Sequence, residues 1–126
     1  MSQYVDAQTK AFTAAGTIKQ YARVVLGSGG TITEAGLAQK EIGTAMEPAV
    51  TGDVIAVRLR TAMGTHKMIA LEALAIGATL YTEAAGKVQD TAEATSFQVG
   101  TALEAATADG DIIEVLYNAH GDTAAS

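Results

Sequence analysis

The sequence predicts an all-β protein, a compact barrel or sandwich of short strands with an internal twofold repeat. One observation is the repeat itself: residues 42–59, IGTAMEPAVTGDVIAVRL, return as residues 99–117, VGTALEAATADGDIIEVLY, at a spacing of about 57 residues. The other is that each copy ends in alternating apolar and polar residues, the period of a strand with one buried face. We expect helix only as short turns.

The chain has 126 residues, the length of one domain, which buries roughly two thirds of its unfolded surface. We expect an extended N-terminal arm over 1–14 and a flexible tail over 119–126. Between them, 15–118 form a single β-domain of two similar halves, 15–60 and 73–118.

The arm contains three large apolar side chains, Tyr4, Val5 and Phe12, among polar residues. Two interpretations stay open. The segment is either a frayed terminus or a contact arm that becomes ordered on a neighbouring subunit or a capsid. In the second case these three residues are the candidate contacts.

The first half predicts four strands. Two short β-rich runs, 24–26 and 31–33, are separated by the glycine-rich segment 27–30 and read as a hairpin. Residues 41–46 and 54–60 predict two further strands, with a turn between them.

The second half follows the same plan after a short predicted strand within 65–73. Residues 76–81 correspond to the 18–26 region, and a glycine again precedes the next apolar position at Gly86. Residues 97–103 and 112–117 predict the last two strands. Alanine-rich segments favour helix by propensity, but their glycines and the flanking alternation favour strands and loops.

Both copies of the repeat contain a Gly-Asp turn, Gly52-Asp53 and Gly110-Asp111. An aspartate at this place can accept hydrogen bonds from the backbone of its own turn, so we interpret these four residues as structural. The alternative is a carboxylate pair for general acid–base chemistry or for a cation.

No catalytic, cofactor or metal site is apparent in the sequence. Gly86-Lys87 lacks the other residues of a P-loop, there are no cysteines, and the two histidines, His66 and His120, have no metal-binding spacing. The net charge of −6 disfavours nucleic acid as a partner. The apolar stretch 68–80 is shorter than the roughly 20 residues that span a bilayer, so we expect no membrane association.

Four basic residues, Arg58, Arg60, His66 and Lys67, follow one another at the end of one predicted strand and the start of the next. If these strands pair, the four side chains form a docking patch for an acidic partner. A solvated strand face is the alternative.

Five motifs occur in order along 14–117: AGTIKQYARVVL, GGTIT, IGTAMEPAVTGDVIAVRL, GTHKMIALEALAIGATLYTEAAGKVQDT and VGTALEAATADGDIIEVLY. As an ordered set they resemble the small capsid cement proteins of tailed phages, also called head decoration proteins. Some members of that family carry a recombinase label, which the missing P-loop does not support.

The resemblance implies a non-enzymatic structural virion protein without cofactors. Such a protein is made in the host cytoplasm and binds the outer surface of an icosahedral head as a homotrimer. There it stabilises contacts between major capsid protein subunits. An alternative is a virion or surface β-domain that binds a ligand such as carbohydrate. The aromatic content of 5% counts against it, because sugar sites use aromatic platforms.

Overall fold

The structure is a computed structural model that describes residues 8–117. Within that range the chain forms ten strands in two sheets and one 3-10 turn, Ala84–Gly86, which confirms the predicted all-β class. No helix in the same range is long and apolar enough to cross a bilayer. The N-terminal unit contains β1 Thr9–Thr13, β2 Arg23–Leu26, β3 Ile32–Glu34, β4 Gly43–Ala45 and β5 Val54–Leu59. The C-terminal unit contains β6 His66–Ala70, β7 Thr79–Thr82, β8 Lys87–Gln89, β9 Gln98–Ala102 and β10 Ile112–Tyr117.

The N-terminal unit is a five-stranded sheet in the order β1-β5-β4-β2-β3, with every neighbouring pair antiparallel. The predicted hairpin is present, since Leu26 of β2 lies opposite Ile32 of β3. Ala14, which follows β1, forms a parallel bridge with the same Ile32. This contact brings the two edges of the sheet together at one point.

The C-terminal unit repeats this arrangement as a closed barrel, in the circular order β6-β10-β9-β7-β8. A parallel pair of β6 with β8 closes it. The backbone hydrogen bonds repeat as well: Ala14 N–H donates to Asp53 O at 2.8 Å, and Ala70 N–H donates to Asp111 O at 2.8 Å. The duplication predicted from the sequence is therefore a duplication of topology.

The repeat begins earlier in the chain than the predicted halves. Thr9–Thr13 form β1, which runs antiparallel along β5 from Thr9 opposite Arg58 to Thr13 opposite Val54. This part of the predicted arm thus lies in the sheet of its own chain, in the place that β6 occupies in the other unit. The strand has only one large apolar side chain, Phe12, which packs against the core, so the sequence pattern of β1 is weak.

Each unit has its own apolar core. The inward faces of β5 and β10 supply matching residues, Ile55 and Val57 in one unit and Ile113 and Val115 in the other, as the alternation predicted. Ile69 of β6 packs in the N-terminal cluster. The first strand of the C-terminal unit therefore connects the two cores.

Steric crowding explains why the repeated Gly-Thr-Ala motif begins with glycine. A Cβ atom on Gly43 would overlap the carbonyl oxygen of Arg58, and one on Gly100 would overlap that of Leu116, which is the equivalent position. Because β4 and β9 approach their neighbouring strands so closely, only glycine fits at these two places.

Candidate functional site

A half-open cavity of about 450 Å³ lies where the two units meet. Both contribute to its lining, which consists of Tyr21, Met46, Arg58, Thr65, His66, Lys67, Glu104 and Glu114. Three of the four residues of the predicted docking patch are among them. Whether these three residues can form a docking patch depends on how far each side chain is exposed and on which hydrogen bonds it makes within the chain.

The predicted patch required β5 and β6 to pair, and this condition is not met, because the two strands lie in different sheets. Arg58 instead holds the segment that connects them. Its guanidinium donates to Thr65 O (3.1 Å) and Met63 O, and to Gln8 Oε1 at 2.9 Å. With these bonds made within the chain, Arg58 stabilises the junction between the units.

His66 is a buried residue rather than part of a docking surface, with an exposed fraction of 1%. Its Nε2 lies 2.9 Å from Leu59 O, and its ring meets the Tyr117 ring edge-on at 4.6 Å. Its Nδ1 has no hydrogen-bond partner among the described residues. Burial, assisted by the charge of Arg58, lowers the pKa of His66 below 6.5, while the Leu59 bond and Glu41 oppose the shift. The imidazole is therefore held neutral between the units.

We expect the folded protein to lose stability as the pH falls below about 6.5, because the unfolded chain then binds the proton that folded His66 rejects. Chemical denaturation at about pH 7.5 and about pH 5.5 measures this loss. In His66→Gln, which keeps an N–H donor for Leu59 O, the loss should be smaller. An equal loss in both proteins would show that His66 does not cause it.

Lys67 and Arg60 are the members of the predicted patch that keep positive charge near the surface. Lys67 is exposed, and its Nζ lies 5.6 Å from the centre of the Tyr21 ring. The guanidinium of Arg60 lies 5.8 Å from the centre of the Tyr117 ring, at a distance at which a cation and an aromatic face attract. The accessible basic surface is thus smaller than the sequence suggested.

Tyr21 occupies a backbone conformation that glycine normally takes, with φ at 68°. The equivalent residue of the C-terminal unit is Gly77, with φ at 87°. A bulky residue held at positive φ costs of order 1–3 kcal/mol and is typical of functional positions. The gain here is an aromatic ring that lines the cavity and faces Lys67. The sequence indicates Tyr21 only through this mismatch between the two copies.

A buried ion pair at the boundary was not anticipated from the sequence. Arg23 Nη1 lies 3.0 Å from Glu41 Oε1, and the two side chains are 0% and 3% exposed. Arg23 belongs to the N-terminal unit, but it also donates to carbonyl oxygens of the other unit, at Lys87 (3.0 Å) and at Glu83. The guanidinium therefore connects the units directly.

Tyr117 completes this network from the C-terminal unit, since its hydroxyl donates to Glu41 Oε2 at 2.8 Å. Burial and the neighbouring Glu41 carboxylate raise the pKa of Tyr117 well above 10, so its hydroxyl remains a donor. Thr79 and Gln98 occupy the places equivalent to Arg23 and Glu41. The charged pair therefore occurs in only one of the two copies. This difference between the copies is the one feature of the sequence that indicates the pair.

The repeated aspartates bind the backbone of their own turns. Asp53 Oδ2 accepts from Val50 N–H at 3.0 Å. Asp111 Oδ2 accepts from the N–H and hydroxyl of Thr107 and from Ala108 N–H, and these bonds lower the pKa of Asp111. The two carboxylates lie at corresponding turns of different units. Each carboxylate thus accepts hydrogen bonds within its own turn, as the structural interpretation requires.

The glycines that precede these aspartates have φ values of 96° at Gly52 and 95° at Gly110. Both adopt the left-handed conformation that a tight turn requires and that glycine takes without steric cost. Their N–H groups donate to Ala14 O and Ala70 O, respectively. Each turn is thus joined to the end of the first strand of its unit.

The described residues contain no group of three or more His, Asp or Glu side chains that could hold a metal ion. Tyr4, Val5 and His120 lie outside the described range. Within residues 8–117, the contacts at the boundary between the units are intramolecular. Tyr21 and Lys67 lie at the surface of this boundary.

The family model described as phage cement protein matches residues 4–117. The chain belongs to the phage cement protein family. A solved structure with a similar fold is the N base of head fiber gp8.5 of bacteriophage phi29. It is 18% identical, with a TM-score of 0.72, over 87% of this chain and 92% of that chain. No curated protein matches the sequence.

Membership in the cement family gives the protein a structural role in the phage capsid. The resemblance inferred from the five ordered motifs is confirmed. At 18% identity, the likeness to the head fiber base adds a shared fold.

Proposed function

We propose that the protein binds the outer surface of an icosahedral phage head as a homotrimer and stabilises contacts between major capsid protein subunits, without catalysing a reaction. The observation that carries the proposal is the family match over residues 4–117. The net charge of −6 supports an outer position, because an acidic protein is repelled by packaged DNA. Three copies that attach together gain avidity that one copy lacks.

The exposed ammonium of Lys67 and the partly exposed guanidinium of Arg60 are the candidate contacts of this surface with an acidic coat protein. Both lie beside aromatic rings, of Tyr21 and Tyr117, which hold the long side chains near fixed positions. Charge complementarity of this kind increases the rate and the specificity of docking more than its strength. The contact is therefore expected to weaken as salt rises.

Co-sedimentation with purified capsid shells tests the proposal. The protein should pellet with shells and raise the temperature at which they break apart. Lys67→Glu should weaken binding to shells about tenfold, which corresponds to a loss of about 1.4 kcal/mol of binding free energy. Lys40→Glu is a matched control, since Lys40 is exposed outside the cavity lining and the charge change is equal.

Two results would count against this proposal. If the protein stays in the supernatant at any shell concentration, it does not act as a cement subunit for that capsid. If Lys67→Glu and Lys40→Glu bind shells equally well, the surface around Lys67 is not the capsid contact.

A further inference from the structure

The cavity where the two units meet is lined by side chains that the duplication does not explain. Lining residues differ in chemical type from their equivalents in the other copy at four places: Tyr21 from Gly77, Arg58 from Leu116, Lys67 from Ala11 and Glu114 from Ala56. The strand registers fix the last two, because Lys67 lies opposite Glu114 and Ala11 lies opposite Ala56. Differences between the copies thus meet at this cavity.

The direction of these differences is opposite to the one that packing predicts. A surface covered by a neighbouring unit is expected to be more apolar than its exposed equivalent. At the cavity, the half-buried Arg58 instead takes the place of Leu116, which is 49% exposed. Tyr21 holds φ at 68°, where the exposed Gly77 has a similar conformation without strain. Polar and strained groups at a partly covered place are typical of a binding site.

The charges of the lining balance each other. The lining contains the cations Arg58 and Lys67 and the carboxylates Glu104 and Glu114. Its histidine, His66, is held neutral because burial lowers its pKa. A charged ligand of either sign would be attracted by one pair and repelled by the other, so it would gain little from the charges. The balance favours an uncharged ligand that both donates and accepts hydrogen bonds.

The carboxylates and the guanidinium are held in place by bonds within the chain. Glu114 Oε2 accepts from Thr65 Oγ1 at 2.6 Å, and Glu104 Oε1 accepts from Glu114 N–H at 2.8 Å. A carboxylate has about four acceptor sites, so both groups can accept further hydrogen bonds from a ligand. Arg58 likewise has more N–H donors than its bonds to Gln8, Met63 and Thr65 use. Fixed acceptors and donors therefore surround the cavity.

Tyr21 and Met46 supply the apolar part of the lining. The C–H groups of a sugar ring pack against an aromatic side chain, while the hydroxyls at its edge donate and accept hydrogen bonds. Lys67 Nζ lies 5.6 Å from the centre of the Tyr21 ring, so a saccharide that rests on Tyr21 has an N–H donor within reach. The cavity volume of about 450 Å³ falls in the range of about 300–1,000 Å³ that small ligands occupy.

We propose that this cavity binds a neutral carbohydrate of the size of a mono- or disaccharide. Tyr21 is the platform for the sugar ring, and the lining carboxylates and cations bond its hydroxyls. The low aromatic content of the chain is compatible with such a site, because a single ring placed in a cavity provides the platform. The site shares Lys67 with the proposed capsid contact, but carbohydrate binding is a further function and its test needs no shells.

A glycan array followed by a titration tests the proposal with the full chain. The array presents neutral saccharides that end in glucose, galactose, mannose or N-acetylglucosamine, together with saccharides that end in sialic acid. Neutral saccharides should bind better, because the lining has no net charge. The best-binding saccharide is then added in free form to isotope-labelled protein while the amide resonances are followed by NMR. The largest shifts should occur at lining residues such as Met46, Thr65 and Lys67.

Two variants remove the proposed contacts by introducing the residue of the other copy. Tyr21→Gly removes the ring and suits the positive φ, and Glu114→Ala removes one carboxylate. Each should weaken saccharide binding about tenfold or more, through loss of an aromatic contact or of a hydrogen bond to a charged group. Glu93→Ala is the matched control, since Glu93 is exposed outside the lining and the charge change equals that of Glu114→Ala. Thermal unfolding verifies that the variants fold.

Three results would overturn the proposal. They are the absence of binding to any neutral saccharide, amide shifts that lie away from the cavity, and equal saccharide affinity in Tyr21→Gly and Glu93→Ala. Co-sedimentation of the same proteins with shells separates this failure from that of the proposed function. If no saccharide binds and Tyr21→Gly loses shell binding, a coat protein segment occupies the cavity instead of a carbohydrate.

Discussion

Replacing Arg23 by methionine is expected to lower the free energy of unfolding by about 3–5 kcal/mol, because the Glu41 carboxylate would stay buried without its partner. The substitution also removes the donors for the carbonyl oxygens of Lys87 and Glu83 in the other unit. Denaturation with guanidinium chloride, followed by circular dichroism, measures the change. We expect the transition to shift to lower denaturant concentration as a whole, since the network connects both units.

The exposed ion pair of Lys19 with Glu34 is the matched control for this prediction. Its atoms approach to 2.8 Å, but the Lys19 side chain is 44% exposed, so Lys19→Met should cost less than about 1 kcal/mol. The double variant Arg23→Met/Glu41→Met should recover part of the loss, because no unpaired charge remains. If Arg23→Met costs no more than Lys19→Met, the buried pair does not stabilise the protein.

Gly43→Ala and Gly100→Ala are each expected to destabilise the fold by about 3 kcal/mol or more. In both cases the new methyl group would overlap a backbone carbonyl oxygen on the neighbouring strand, which side-chain rotation cannot relieve. Thermal unfolding and the yield of soluble protein measure the effect. Because the positions are equivalent, the two losses should be similar.

Gly29→Ala controls for the general effect of adding a methyl group. Nothing lies within 4 Å of a Cβ at Gly29, so this substitution should leave stability nearly unchanged. If Gly43→Ala is tolerated as well as Gly29→Ala, then β4 can move away from β5 and the close approach is not essential to the fold.

The parts of the fold that rest on local patterns were predictable. The alternation in β5 and β10 identified Ile55, Val57, Ile113 and Val115 as inward residues, and all four are buried. The duplicated motif predicted two similar units. β1 was not predicted as a strand because its only large apolar residue is Phe12, and its pairing with β5 depends on residues distant in sequence.

The boundary between the units was not predictable, because its contacts arise from how one unit packs on the other. Arg23 follows an alanine and precedes an apolar run, and nothing near it in sequence indicates a buried ion pair. His66 appeared as part of a basic patch, whereas burial lowers its pKa and removes that role. The sequence indicates the boundary residues only where equivalent positions of the two copies differ, as Arg23 differs from Thr79 and Tyr21 from Gly77.

The parallel pairing of β6 with β8 also affects how the protein resists aggregation. An open strand edge can accept a further strand from another molecule, but the closed C-terminal barrel offers none within the described residues. In the N-terminal unit, β1 contacts β3 only beyond its end, at Ala14, and Lys10 lies on this edge strand, where a charged side chain opposes strand addition. Within residues 8–117, strand addition of the amyloid type is therefore restricted to the edges of the N-terminal sheet.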